Sequence, residues 1–115
     1  MGLFSIRHKN QTHFVSFDEI LYLEVGGSGS IYVITQDDRE IFLKQTMISL
    51  LKELPPYIIQ ISRYNAVNLR YIHSIDHEEH TLQLRNNPKS FEIGPGFYGS
   101  LLELVKWCLS EVQSF

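Results

Sequence analysis

The spacing of apolar positions changes period three times along the chain. From residue 12 to residue 43 it is the spacing of extended strands. Residues 12–17 (THFVSF) are rich in β-formers, residues 17–25 (FDEILYLEV) carry the apolar run Ile20 to Leu23, and residues 31–35 (IYVIT) are β-branched and aromatic. The breaker cluster GGSGS at 26–30 separates two of these runs, and QDDR at 36–39 is a turn signal before EIFL at 40–43. The period then lengthens. Met47, Leu50, Leu51 and Leu54 fall at i, i+3, i+4 and i+7, which predicts an amphipathic helix. Thr46 is placed to cap it, and Pro55 and Pro56 stop it. Strand spacing returns over 57–62, 66–75, 81–86 and 90–93, where Leu82 with Leu84 and Phe91 with Ile93 alternate with polar neighbours. GPG at 94–96 ends the last strand, and 97–112 reads as a second helix. Leu101, Leu104, Val105, Cys108 and Val112 form one stripe of that helix, and Leu102 and Leu109 form a second, with Trp107 nearby.

The helices do not alternate with the strands, so a parallel βαβ sheet is disfavoured and a mostly β, antiparallel fold is expected. A chain of 115 residues fits one domain spanning 1–115, and 43% hydrophobic with 20% charged residues is enough to fold around a core. No apolar run is long enough for a bilayer, no apolar segment follows the basic start MGLFSIRHKN, and Cys108 is the single cysteine. A cytoplasmic protein with no disulfide framework, no cysteine metal site and no membrane partner is expected. Net charge is −3 and pI about 5.9, so a nucleic-acid role would need a local basic face.

The chain shows no HExxH, GxSxG, Walker or CxxC motif. GGSGS leads into a strand rather than a helix, so it lacks the helix-terminus geometry of a phosphate cradle and reads as a flexible loop. DHEEH at 76–80 has permissive metal spacing but reads as a solvated acidic turn, and Cys108 reads as a small core residue. No enzyme, cofactor or metal is expected. The stretch ISRYNAVNL at 61–69 is different. Arg63 has the chemistry to contact guanine or phosphate, with Tyr64 and Asn65 beside it, while Asn68 is suited to satisfying backbone groups at a strand boundary.

These residues carry a resemblance. FDEILYLEV at 17–25, IYVITQDDREIFL at 31–43, the long stretch TMISLLKELPPYIIQISRYNAVNLRYIHSI at 46–75 and FEIGPGFYGSLLELV at 91–105 resemble, in order, the segments of the LytTR domain. That is the DNA-binding domain of bacterial LytR/AlgR-type response regulators. The resemblance implies elongated antiparallel sheets with a short side helix and a C-terminal helix. It implies sequence-specific binding of double-stranded DNA through three loops in a transcriptional regulator of a two-component system. By position those loops are 26–30, 62–65 and 94–97. Arg63 would read or anchor, Ser28, Ser30, Tyr64 and Asn65 would position, and Lys44 and Arg70 would be phosphate anchors. Repeated sites imply two copies, and the Leu102, Trp107 and Leu109 face is the expected homodimer contact. A receiver domain is expected outside this chain. Ser62 stands where the family has a histidine, and Gly94-Pro95-Gly96 replaces a Ser-Arg pair. The alternative is a protein-interaction or regulatory module on the same fold with weak or lost DNA binding.

Overall fold

The computed structural model describes residues 2–110, with side chains through residue 106. The fold is mostly β, with three antiparallel sheets and two helices. Its centre is a five-stranded sheet in the order β5(Glu40–Leu43), β4(Ile31–Thr35), β3(Ile20–Val25), β7(Asn65–Asn68), β6(Ile58–Gln60). Strands β1(Leu3–His8) and β2(Gln11–Ser16) make a separate hairpin, and β8(Ile72–Asp76), β9(Thr81–Leu84) and β10(Ser90–Glu92) make a three-stranded sheet. Helices α1(Met47–Leu51) and α2(Tyr98–Ser110) complete the structure.

Both faces of the central sheet are covered, which is why its strands read as nearly continuous apolar runs. On one face Leu23, Ile31, Val33, Ile41 and Ala66 pack against the β1–β2 hairpin through Ile6 and Val15 and against α1 through Met47 and Leu50. On the other face Leu21, Val67 and Leu69 pack against Leu82, Leu84 and Phe91 and against Leu101 of α2. A register shift between Ile20 and Tyr22 marks a bulge in β3. The extra residue lets the adjacent Leu21 and Tyr22 serve the same face while Ile20 and Leu23 serve the other. The described residues extend 46 × 31 × 26 Å, an elongated shape.

The predicted elements are present, with informative differences. The helix after Thr46 is a short one, Met47–Leu51, with the Thr46 hydroxyl accepting from Ser49 N as its cap, and the chain leaves helical geometry before the prolines. The single strand expected at 66–75 is two strands divided by a 3-10 turn at Leu69–Tyr71. Asn68 makes the division, because its side chain accepts from Arg70 N and redirects the backbone. A second 3-10 turn, Phe17–Glu19, precedes β3 and is closed by a reciprocal Ser16–Glu19 capping box. Strand β1 occupies the stretch that reads in sequence only as a basic start. The stripe and face residues Trp107, Cys108, Leu109 and Val112 lie outside the described side chains.

Candidate nucleic-acid interface

Strand direction gathers three loops at one end of the central sheet. Strand β3 ends there at Val25, and β7 begins there at Asn65, paired with Glu24. Val25 N donates to Tyr64 O at 2.9 Å, which ties the 26–30 loop to the 62–65 loop. Gly94 N donates to Ile61 O at 2.7 Å, which ties the 94–97 loop to the same turn. A Cβ at Gly94 would stand a tight 3.0 Å from the Phe97 ring and an ordinary 3.5 Å from the Ser62 backbone. An open cleft of about 580 Å³ lies between the second and third loops, lined by Arg63, Tyr64, His80, Lys89 and Pro95 among others.

Each loop has its own internal order. Residues 26–30 form a tight hairpin turn rather than a slack loop. Ser30 N donates to Gly27 O at 3.0 Å, and Ser28 and Gly29 have φ of 41° and 74°, the pattern of a type I′ turn. Ser28 is exposed at the tip. Ser30 is 4% exposed, and its hydroxyl donates to Gly27 O, so it closes the turn from inside and is not presented outward. In the second loop the buried Ser62 hydroxyl accepts from both Tyr64 N and Asn65 N at 3.1 Å. The Asn65 amide donates to Leu23 O at 3.1 Å and stitches the turn to β3. What remains outward is Arg63, exposed and without an ion-pair partner among the described residues, with its guanidinium 5.5 Å from the centre of the exposed Tyr64 ring.

The remaining positions separate. Lys44 is exposed and follows Leu43, which pairs with Ile31, so it stands at the loop end beside the 26–30 turn. Arg70 stands at the opposite end of β7. It is engaged there, 2.9 Å from Asp18 and 4.0 Å above the Tyr57 ring. Lys89 is a site residue that sequence reasoning missed. It lines the cleft, pairs with Glu24 and lies 5.1 Å from the Tyr22 and Phe91 rings. No local signal marks it, because its partner is 65 residues away. Burial pushes the Tyr22 hydroxyl above its ordinary 10.0, so the ring beside Lys89 stays neutral. His77 hydrogen-bonds the Tyr98 hydroxyl and His80 stacks on the Tyr98 ring at 4.3 Å, so the DHEEH turn is docked on the start of α2. Among the described residues no cluster of three or more His, Cys, Asp or Glu is placed to hold a metal, and no helix is long and apolar enough to cross a membrane.

Both ends of the central sheet carry charged residues of both signs. The loop end carries Lys44, Arg63 and Lys89, with Glu24 paired to Lys89. The other end carries Asp18, Glu19, Asp37 and Asp38, with Arg39 and Arg70 held in ion pairs among them. Asp76, Glu78, Glu79 and Glu92 flank the loop end on the side of the three-stranded sheet. Backbone N–H groups of Glu79 and Glu78 donate to Asp76 and hold its carboxyl below the ordinary aspartate range.

The comparisons with known proteins bear on the family and the fold. A family model for the LytTr DNA-binding domain matches residues 10–106. The fold is similar to the solved LytTr DNA-binding domain of a Bacillus cereus protein described as a putative methyl-accepting/DNA response regulator. The TM-score is 0.78 at 18% identity, covering 91% of this chain and 97% of that one. A comparison with curated proteins returned no significant match. The chain belongs to the LytTR family of DNA-binding domains.

Proposed function

We propose that this domain reads double-stranded DNA through its loop end, with Arg63 entering the major groove and the neighbouring loops setting its depth. The observation that carries the reading is the state of Arg63. It is the exposed cation of a turn whose other polar groups, Ser62 and Asn65, are consumed in holding that turn rigid. A pre-ordered arginine loses less freedom on contact, and its planar fork suits guanine O6 and N7. Ser28 and Tyr64 are the other exposed side chains of the two loops and are suited to sugar or phosphate contacts. Lys44 is a phosphate anchor on the same end. Ser30, Asn65 and Arg70 act through the fold: the first two shape the loops, and the third locks the far end. The domain serves as the output of a bacterial transcriptional regulator, and receiver-domain input is the expected source of control.

Selection from a random duplex pool, followed by titration of the winner, tests this. An enriched motif and a loss of roughly 1–3 kcal/mol on Arg63→Ala are expected, with relaxed preference at one base position. Paired repeats in the motif would support two copies per site, and a single half-site would remove that arrangement. No enrichment at low salt would overturn the DNA-reading proposal. It would favour instead a protein-interaction role, for which the uncharged Gly94-Pro95-Gly96 loop and the neutralised Lys89 are the supporting features.

A further inference from the structure

The β1–β2 hairpin ends in Arg7-His8-Lys9-Asn10, and the turn lies at the same end of the molecule as the three loops. Two contacts establish its direction. At the base, Gly2 O accepts from Phe17 N at 2.9 Å, and the Phe4 and Phe17 rings stand 5.8 Å apart, at the acidic end. At the tip, the His8 ring stands 5.7 Å from Phe42, which stands 5.5 Å from Tyr32, which packs against Gly26 of the first loop. A row of rings therefore joins the hairpin tip to the 26–30 turn.

Alternation along β1 turns Phe4, Ile6 and His8 inward and leaves Arg7 exposed, and Lys9 is exposed in the turn with φ 59°. Neither cation has an ion-pair partner among the described residues, whereas Arg39, Arg70 and Lys89 are all paired. The hairpin covers one face of the central sheet at its β5 edge, where β1 packs against β5. Strands are about 4.8 Å apart, so β5 lies roughly 14 Å from β7, where Arg63 is presented. The major groove is about 12 Å wide. A hairpin tip at the β5 edge thus stands farther from Arg63 than the groove is wide, within reach of the sugar-phosphate strand.

We infer that the tip of the β1–β2 hairpin is a phosphate clamp, in which Arg7 and Lys9 grip the DNA backbone flanking the site read by the loops. Both residues precede the segment matched by the family model, which begins at residue 10. The clamp supplies cationic contact on one flank in a domain whose third loop has no cation. The inference rests on the DNA-binding reading above. It gives affinity without base preference, because phosphates are the same at every step.

The test is the salt dependence of binding to the selected duplex. It compares the unaltered protein, the double variant Arg7→Gln/Lys9→Asn and the charge-matched control Lys52→Gln/Arg85→Gln. Asn is chosen at position 9 because it tolerates the left-handed backbone. Lys52 and Arg85 stand toward the acidic end, since α1 leads to the start of β6 and Arg85 hydrogen-bonds Arg70 O. Removing one cation from a phosphate lowers the slope of log K against log salt by about 0.9, so a fall of about 1.8 is expected for the hairpin variant and little change for the control. The ratio of affinities for selected and scrambled duplex should stay constant in the hairpin variant. An unchanged slope with retained binding, or an equal fall in the control, overturns the clamp alone. Failure of the unaltered protein to bind duplex at low salt overturns both readings. Matching circular dichroism and melting curves guard against misfolding of the variants.

Discussion

Asn68 is fully buried between apolar neighbours, and both ends of its amide are used. The nitrogen donates to Ile20 O at 2.9 Å, and the oxygen accepts from Arg70 N at 2.9 Å. It joins β7 to the start of β3 and turns the chain toward β8 at once. Truncation would strand a carbonyl and an N–H without water. Asn68→Ala is therefore expected to cost roughly 1–3 kcal/mol, read as a lower midpoint in urea denaturation. Asn68→Asp keeps the acceptor but places a carboxylate against a carbonyl, so it should cost at least as much; a stability equal to the parent's would refute this role. That Asn68 is structural, and that Arg63 faces outward, could be read from residue type and spacing alone. Ser30 could not. A serine in a glycine-rich turn has the same letters whether its hydroxyl faces water or closes the turn, and only the positive φ of its neighbours decides it.

Turns hold the separate strands in register, and two of them are closed by carboxylates. In the 36–39 turn the Thr35 hydroxyl, with Arg39, holds the Asp37 carboxyl below its ordinary 3.8. In the 76–80 turn the backbone N–H groups of Glu79 and Glu78 do the same for Asp76. A depressed carboxyl contributes stability that is present above its unfolded value and lost as pH falls through its folded one. Stability is therefore expected to fall below about pH 3.8 through these turns. Asp37→Asn and Asp76→Asn should flatten that acid limb in pH-dependent denaturation, and an unaltered limb in both would remove the turns as its source. At this scale the strands at 31–35 and 40–43 and the Thr46-capped helix were legible, because each carries an unmixed period and a bounding signal. Strand β1 was not. Its inward face includes His8 and its outward face includes the 63% exposed Leu3, so apolar and buried positions do not coincide.

On the scale of the whole molecule, the antiparallel, mostly β architecture followed from the order of strands and helices, and the family from the segments that resemble it. The gathering of loops was implied by the resemblance and not by the order of elements. It is a product of pairing between distant strands, and so are the Lys89–Glu24 pair and the row from His8 to Gly26. The same pairing leaves Arg63 and Lys44 at the loop end without an ion-pair partner among the described residues, although the net charge of the chain is −3. Unpaired cations gathered at one end are attracted to a polyanion even where the whole chain is negative. The loop end should turn toward DNA before contact, so orientation precedes collision. The sign of the salt effect on association distinguishes this from net repulsion. If total charge governed approach, added salt would screen the repulsion and speed association. With the local cations of the loop end in control, added salt slows it, and stopped-flow mixing with duplex DNA would show which field the molecule follows.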